Sequence, residues 1–182
     1  MGALVVQSKK VNSYNLSINT RDERELREAR DVVLRWKKNI AKFENEQYKT
    51  GLASGEFLLV QGYSGDILQI QKENPDVRLA VPREGTVISV DDLAIPKTAR
   101  EKDLAHAFIN FLHEPAVAAA NSNFIKYLCP NTGSYPLLGP DLRDNPAPFL
   151  SPEFRAKSEI LADLGAANAL YVSIWDEIKA AK

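Results

Sequence analysis

The sequence of 182 residues has a single cysteine, Cys129, which excludes an internal disulfide and any cysteine-based metal cluster. Its neighbours Leu128 and Pro130 suggest a packed thiol. It lacks a field of either charge, since 23 Lys and Arg stand against 24 Asp and Glu. Nucleic acid and anionic membrane surfaces are therefore poor partners. Long hydrophobic runs are missing too. The apolar stretch Phe57 to Val60 falls far short of the ~20 residues a bilayer span requires. The opening Met1-Gly2-Ala3-Leu4-Val5-Val6 is too short for the apolar region of a signal peptide and runs into Lys9-Lys10. What remains is an ordinary globular mixture, 45% apolar and 26% charged, enough to build a core.

The chain reads as alternating helices and short strands. Residues 3–11 look like the tail of a helix, and a polar loop covers 12–19. Thr20 and Glu23 form a capping box for a helix whose Leu26, Ala29, Val33, Trp36 and Ile40 recur at helical spacing, closed by Lys37-Lys38. A short helix around 45–53 precedes Phe57-Leu58-Leu59-Val60, continuous enough for a strand buried on both faces. The turn Gly62-Tyr63-Ser64-Gly65-Asp66 follows, with Ser64 capping a helix over about 65–73 that Asn74-Pro75 ends. Val77 to Val81 is the next strand, so strand, helix, strand spells a parallel α/β sheet.

Two more strands, Thr86 to Val90 and Leu93 to Ile95, flank Asp91-Asp92. Thr98 and Glu101 form a second box before a helix with Leu104, Ala105, Phe108, Ile109 and Leu112, and Pro115 opens another. Residues 130–152, rich in Pro, Gly and Asn, read as a long surface connection. A terminal helix over about 166–179 places Leu170, Tyr171, Ile174, Trp175 and Ile178 on one side.

Two adjacent carboxylates between apolar strands must offset their desolvation through solvent or a cationic partner, which points to a small ligand bearing ammonium groups. In open α/β sheets, ligands gather at the carboxyl ends of strands. Two such ends carry polar residues: the turn from Gln61 to Asp66 and the segment Ser89-Val90-Asp91-Asp92. Carboxylates there suit ammonium groups, and the face of Tyr63 adds cation–π attraction. Plainer roles stand beside these. Asp66 in a first helical turn complements the dipole, Asp91 and Asp92 cannot both face one way along a strand, and Tyr63 fits a wet rim.

Catalysis finds no foothold. Gly62-Tyr63-Ser64-Gly65 lies on a strand-to-helix turn, but a nucleophile elbow needs glycine where Asp66 stands. A hydrolase or transferase using Ser64 would need a base, and His106 and His113 sit on an ordinary amphipathic helix. No phosphate loop, dinucleotide fingerprint or metal spacing occurs, so no cofactor or metal is expected.

In order and spacing, the segments 45–56, Tyr63 to Asp66, Pro82 to Gly85, Asp91 to Pro96, Phe108 to Leu112 with Pro115, Tyr127 with Pro130-Asn131, and Gly165 to Ala167 resemble polyamine (spermidine/putrescine) ABC transporter substrate-binding proteins. The likeness is to their C-terminal half and covers nearly the whole chain. It implies a type II periplasmic-binding-protein-like α/β fold that closes on its ligand like a clamshell. It also implies a non-enzymatic, extracytoplasmic role, capturing a polyamine or related cationic solute for an ABC permease.

By this resemblance Asp91 matches the main amine-binding carboxylate, Tyr63 and Tyr127 match aromatic walls, and Asp66 and Asp92 are weaker candidates. Ser89 stands where polyamine binders often carry tryptophan, and Leu161 where some carry a ligand-contacting glutamine; the narrower aromatic box speaks against spermidine itself and for another amine or a related cationic solute. Residues 1–92 and 131–182 would form the second lobe, with 93–130 belonging to an otherwise missing first lobe. The chain is then expected to be N-terminally incomplete. Leu104, Phe108, Ile109, Phe111, Val117 and Phe124 should include an exposed apolar patch, and affinity should be poor. A lone interaction domain dimerising through that patch is the remaining alternative.

Overall fold

A computed structural model describes residues 16–82, 85–145 and 148–181. The expected helix tail over 3–11, the loop residues 12–15 and the Arg83-Glu84 pair lie outside the described residues. The described residues fall into two compact units, one drawn from the spans 16–43, 81–90 and 151–181, the other from 44–80 and 91–150.

In the first unit, α1 (Glu23–Lys37) carries acids in its first turn and Arg35 and Lys37 in its last. Its cap is Asp22, whose carboxylate accepts from the Arg24 N–H at 2.8 Å. The expected box on Thr20 is therefore corrected: Thr20 is buried, and its hydroxyl bonds to the Glu25 carboxylate instead. Leu26, Ala29 and Val33 are buried as their spacing requires. Trp36 is exposed and Ile40 falls beyond the helix, so the stripe stops one turn early.

The C-terminal α8 (Asn168–Ala180) brings Tyr171, Ile174 and Ile178 onto that stripe, with Leu164, Leu170 and Trp175 at the margin. Phe43 meets Trp175 edge-on at 5.2 Å. Two polar contacts fix the pairing. The Tyr171 hydroxyl lies 2.8 Å from the carbonyls of both Ile18 and Thr20. The Lys37 ammonium donates to the carbonyls of Ile178, Lys179 and Ala181, satisfying the end of α8 where the dipole favours a cation.

The strands fall short of expectation. Among the described residues only β1 (Val87–Ile88) and β2 (Glu159–Ile160) pair, in parallel, with Val87 opposite Glu159 and Ile88 opposite Ile160. Phe57 to Val60, Val77 to Val81 and Leu93 to Ile95 are not strands. Leu58 and Leu59 are 94% and 92% exposed. Apolar runs of this kind gain stability from a ladder partner, and these segments find none among the described residues.

In the second unit, α2 (Tyr48–Ser54) and α3 (Ser64–Glu73) pack Tyr48, Ile67, Ile70 and Val77 together. Leu79 joins this cluster to a second one of Leu68, Ala119, Leu138 and Leu142. Next come α4 (Lys102–Leu112) and α5 (Pro115–Ile125), the latter opened by its proline as expected. Glu101 stands at the cap of α4 without a side-chain cap bond, so the second expected box is not formed. The Pro-rich stretch is more regular than a loop. It holds a 3-10 helix (Thr132–Leu137), a helical turn α6 (Pro140–Arg143) and the start of α7 (Pro152–Lys157).

Helix α5 ends on Lys126 in the left-handed conformation, φ 63°. The Lys126 side chain is 4% exposed, and its ammonium lies 2.6 Å from Asp141. Cys129 is half-buried. Among the described residues no helix is long and apolar enough to cross a membrane.

Candidate functional site

The turn Gly62 to Asp66 is shaped by tyrosine rings. A Cβ on Gly62 would strike the ring of Tyr48, and one on Gly65 the ring of Tyr127. Both glycines thus admit an aromatic face that any other residue would displace. Tyr63 is the extended residue capping α3, so Ser64 begins the helix rather than capping it.

Asp66, in the first turn of α3, is the hub. Its Oδ2 accepts from the Tyr48 hydroxyl at 2.6 Å and its Oδ1 from the Tyr127 hydroxyl at 3.0 Å. The Lys49 ammonium lies 3.7 Å from Oδ2, and the Asp66 side chain is only 16% exposed. The Tyr48 hydroxyl in turn accepts the backbone N–H of Tyr63 at 3.2 Å. The Tyr63 hydroxyl reaches Asn45 Oδ1 at 3.4 Å, leaving its ring half in solvent. Burial first, then the bond to Asp66, pushes both the Tyr48 and Tyr127 phenols well above the ordinary tyrosine range, so both remain donors.

Of the sequence candidates, Asp66 and Tyr127 are thus brought into direct contact, with Tyr63 tied in through its backbone. Asp91 and Asp92 are exposed, in irregular chain, and make no hydrogen bond or ion pair among the described residues. Ser89 is exposed beside β1, in the other unit. Tyr48 and Lys49 are not apparent from sequence. The one signal for Tyr48 is Gly62, whose missing side chain leaves room for its ring. Ser64 and both histidines are exposed, and no described hydrogen bond joins them. No described group of His, Cys, Asp and Glu could hold a metal ion.

Residues 3–149 match the family described as bacterial extracellular solute-binding proteins. The putrescine-binding periplasmic protein PotF of Escherichia coli is 33% identical over 135 residues, covering 71% of this chain and 36% of that protein. The putrescine-binding periplasmic protein SpuD of Pseudomonas aeruginosa is 30% identical over 171 residues, covering 90% and 47%. A putative spermidine/putrescine ABC transporter protein from Listeria monocytogenes superposes with TM-score 0.80 at 26% identity over 96% of this chain and 54% of its own. The TpPotD lipoprotein of Treponema pallidum gives 0.77 at 26%, over 97% and 55%.

The chain spans about half the length of the proteins it matches, and the matched fold is the type II periplasmic-binding-protein one. These relatives are transport proteins, not enzymes, which removes the Ser64 hydrolase alternative. The chain belongs to the bacterial extracellular solute-binding protein family.

Proposed function

We propose that the chain is the amine-contacting part of a solute-binding protein that works outside the cytoplasmic membrane and hands a polyamine or related cationic solute to an ABC permease. The observation that carries this reading is the tyrosine-walled carboxylate at the start of α3, in a chain related to putrescine-binding proteins. Asp91 is the principal ammonium partner, supported by its being exposed and unpaired among the described residues and so open to a new donor. Tyr63 and Tyr127 are the walls, and Asp92 lies beside the ligand.

The lobe division follows the same reading. Residues 1–92 and 131–182 belong to one lobe and 93–130 contribute to the other. Helix α4 supports this, because none of its residues is buried while Leu104, Phe108 and Phe111 face solvent. Phe124 is also exposed, but Ala118, Ala119 and Ser122 of α5 are buried, so the free apolar face is chiefly that of α4.

Calorimetric titration with putrescine tests the reading. Half of a clamshell supplies half the contacts, so binding near ~1 mM, about −4 kcal/mol, is expected, and Asp91→Asn should abolish it. Equal binding by the Asp91→Asn variant would overturn the assignment.

A further inference from the structure

We propose that Lys49 is a built-in counter-ion that occupies Asp66 in place of a solute ammonium, and so limits the number of positive charges the site accepts. This inference rests on the polyamine reading above.

The neighbouring side chains are arranged for it. Lys49 projects from α2 and its ammonium lies 3.7 Å from Asp66 Oδ2 and 3.5 Å from Glu46. Tyr48 and Tyr127 place neutral hydroxyl donors on the two Asp66 oxygens. With two phenols and one ammonium, the carboxylate has donors on both oxygens and a neutralising charge before any solute arrives. A diamine that used both Asp66 and Asp91 would have to displace Lys49, whereas a monoamine that used Asp91 alone would not.

The side chain is 42% exposed, so its head group can be exchanged without opening a cavity. Lys49 therefore weighs on charge preference at Asp66. Solutes with a single ammonium lose little here, and those with two or more lose the second attraction.

The test compares putrescine with butylamine on the intact chain, followed by NMR shift titration, for wild type, Lys49→Met and Lys49→Arg. Removing the charge should tighten putrescine about tenfold, ~1.4 kcal/mol, while butylamine changes less than twofold. Arginine should restore wild-type behaviour. Putrescine binding that is unchanged or weakened in Lys49→Met overturns the proposal while leaving the polyamine reading intact. Failure of all three proteins to bind either amine overturns the polyamine reading, and this inference with it.

Discussion

The Tyr48 hydroxyl stands between the Asp66 carboxylate, to which it donates at 2.6 Å, and the Tyr63 backbone N–H, from which it accepts at 3.2 Å. One phenol therefore sets both the carboxylate of α3 and the backbone at its cap. Tyr48→Phe keeps the ring and removes both bonds, one of them to a charged group. A loss of about 2 kcal/mol in urea unfolding is expected, with faster hydrogen exchange at the Tyr63 amide. Unchanged exchange at that amide would show that the hydroxyl does not hold it.

Gly65 is expected to be as sensitive. The ring of Tyr127 lies where a Cβ would be, so Gly65→Ala must move the ring or the start of α3. Overpacking of this kind costs about 1–3 kcal/mol. NMR should show the Tyr127 ring resonances displaced; resonances in place at full stability would contradict the packing.

Asp141 gives a dependence on pH. The Lys126 ammonium, 2.6 Å away, holds its carboxyl below the ordinary value of 3.8, with Lys72 at 3.7 Å adding to the attraction. A depressed carboxyl stabilises fully above its unfolded value, and that contribution fades as pH falls through the lower folded one. Asp141→Asn leaves the buried Lys126 without its carboxylate and should cost about 2 kcal/mol at pH 7, discounted because Asp141 is half exposed. As pH falls below the ordinary carboxylate value of 3.8 and through the lower folded one, the difference from wild type should shrink, as read by urea midpoints across pH. A difference that stays constant through full protonation of the carboxylates would contradict the pair.

The bare face of α4 predicts association. Phe108 and Phe111 are exposed with their rings 6.5 Å apart, and Leu104 lies on the same helix. Light scattering should show concentration-dependent assembly, weakened by Phe108→Lys with little change in unfolding midpoint. A monomer at all concentrations would show that this face does not self-associate.

Much of the helical fold is legible because its signal is local. The Leu26, Ala29, Val33 stripe and the Tyr171, Ile174, Ile178 stripe each lie on one helix, and they meet as their spacing requires. Strands are less legible, since Phe57 to Val60 carries the apolar run of a buried strand but not the identity of a pairing partner. The same limit applies to the site. Asp66 and Tyr127 can be singled out, but the bonds that join them span 61 residues, and the Tyr48 bond spans 18. Only Gly62 and Gly65 mark in sequence the rings that pack on them.

The most direct measurement is a comparison of putrescine with 1,4-butanediol, a neutral molecule of similar length, by NMR shift titration of the labelled chain. Recognition of ammonium by carboxylate requires that putrescine alone perturb Asp91, Tyr63 and Tyr127, and that Asp91→Asn remove the effect. Equal responses to the two molecules, or a putrescine response untouched by Asp91→Asn, would contradict it.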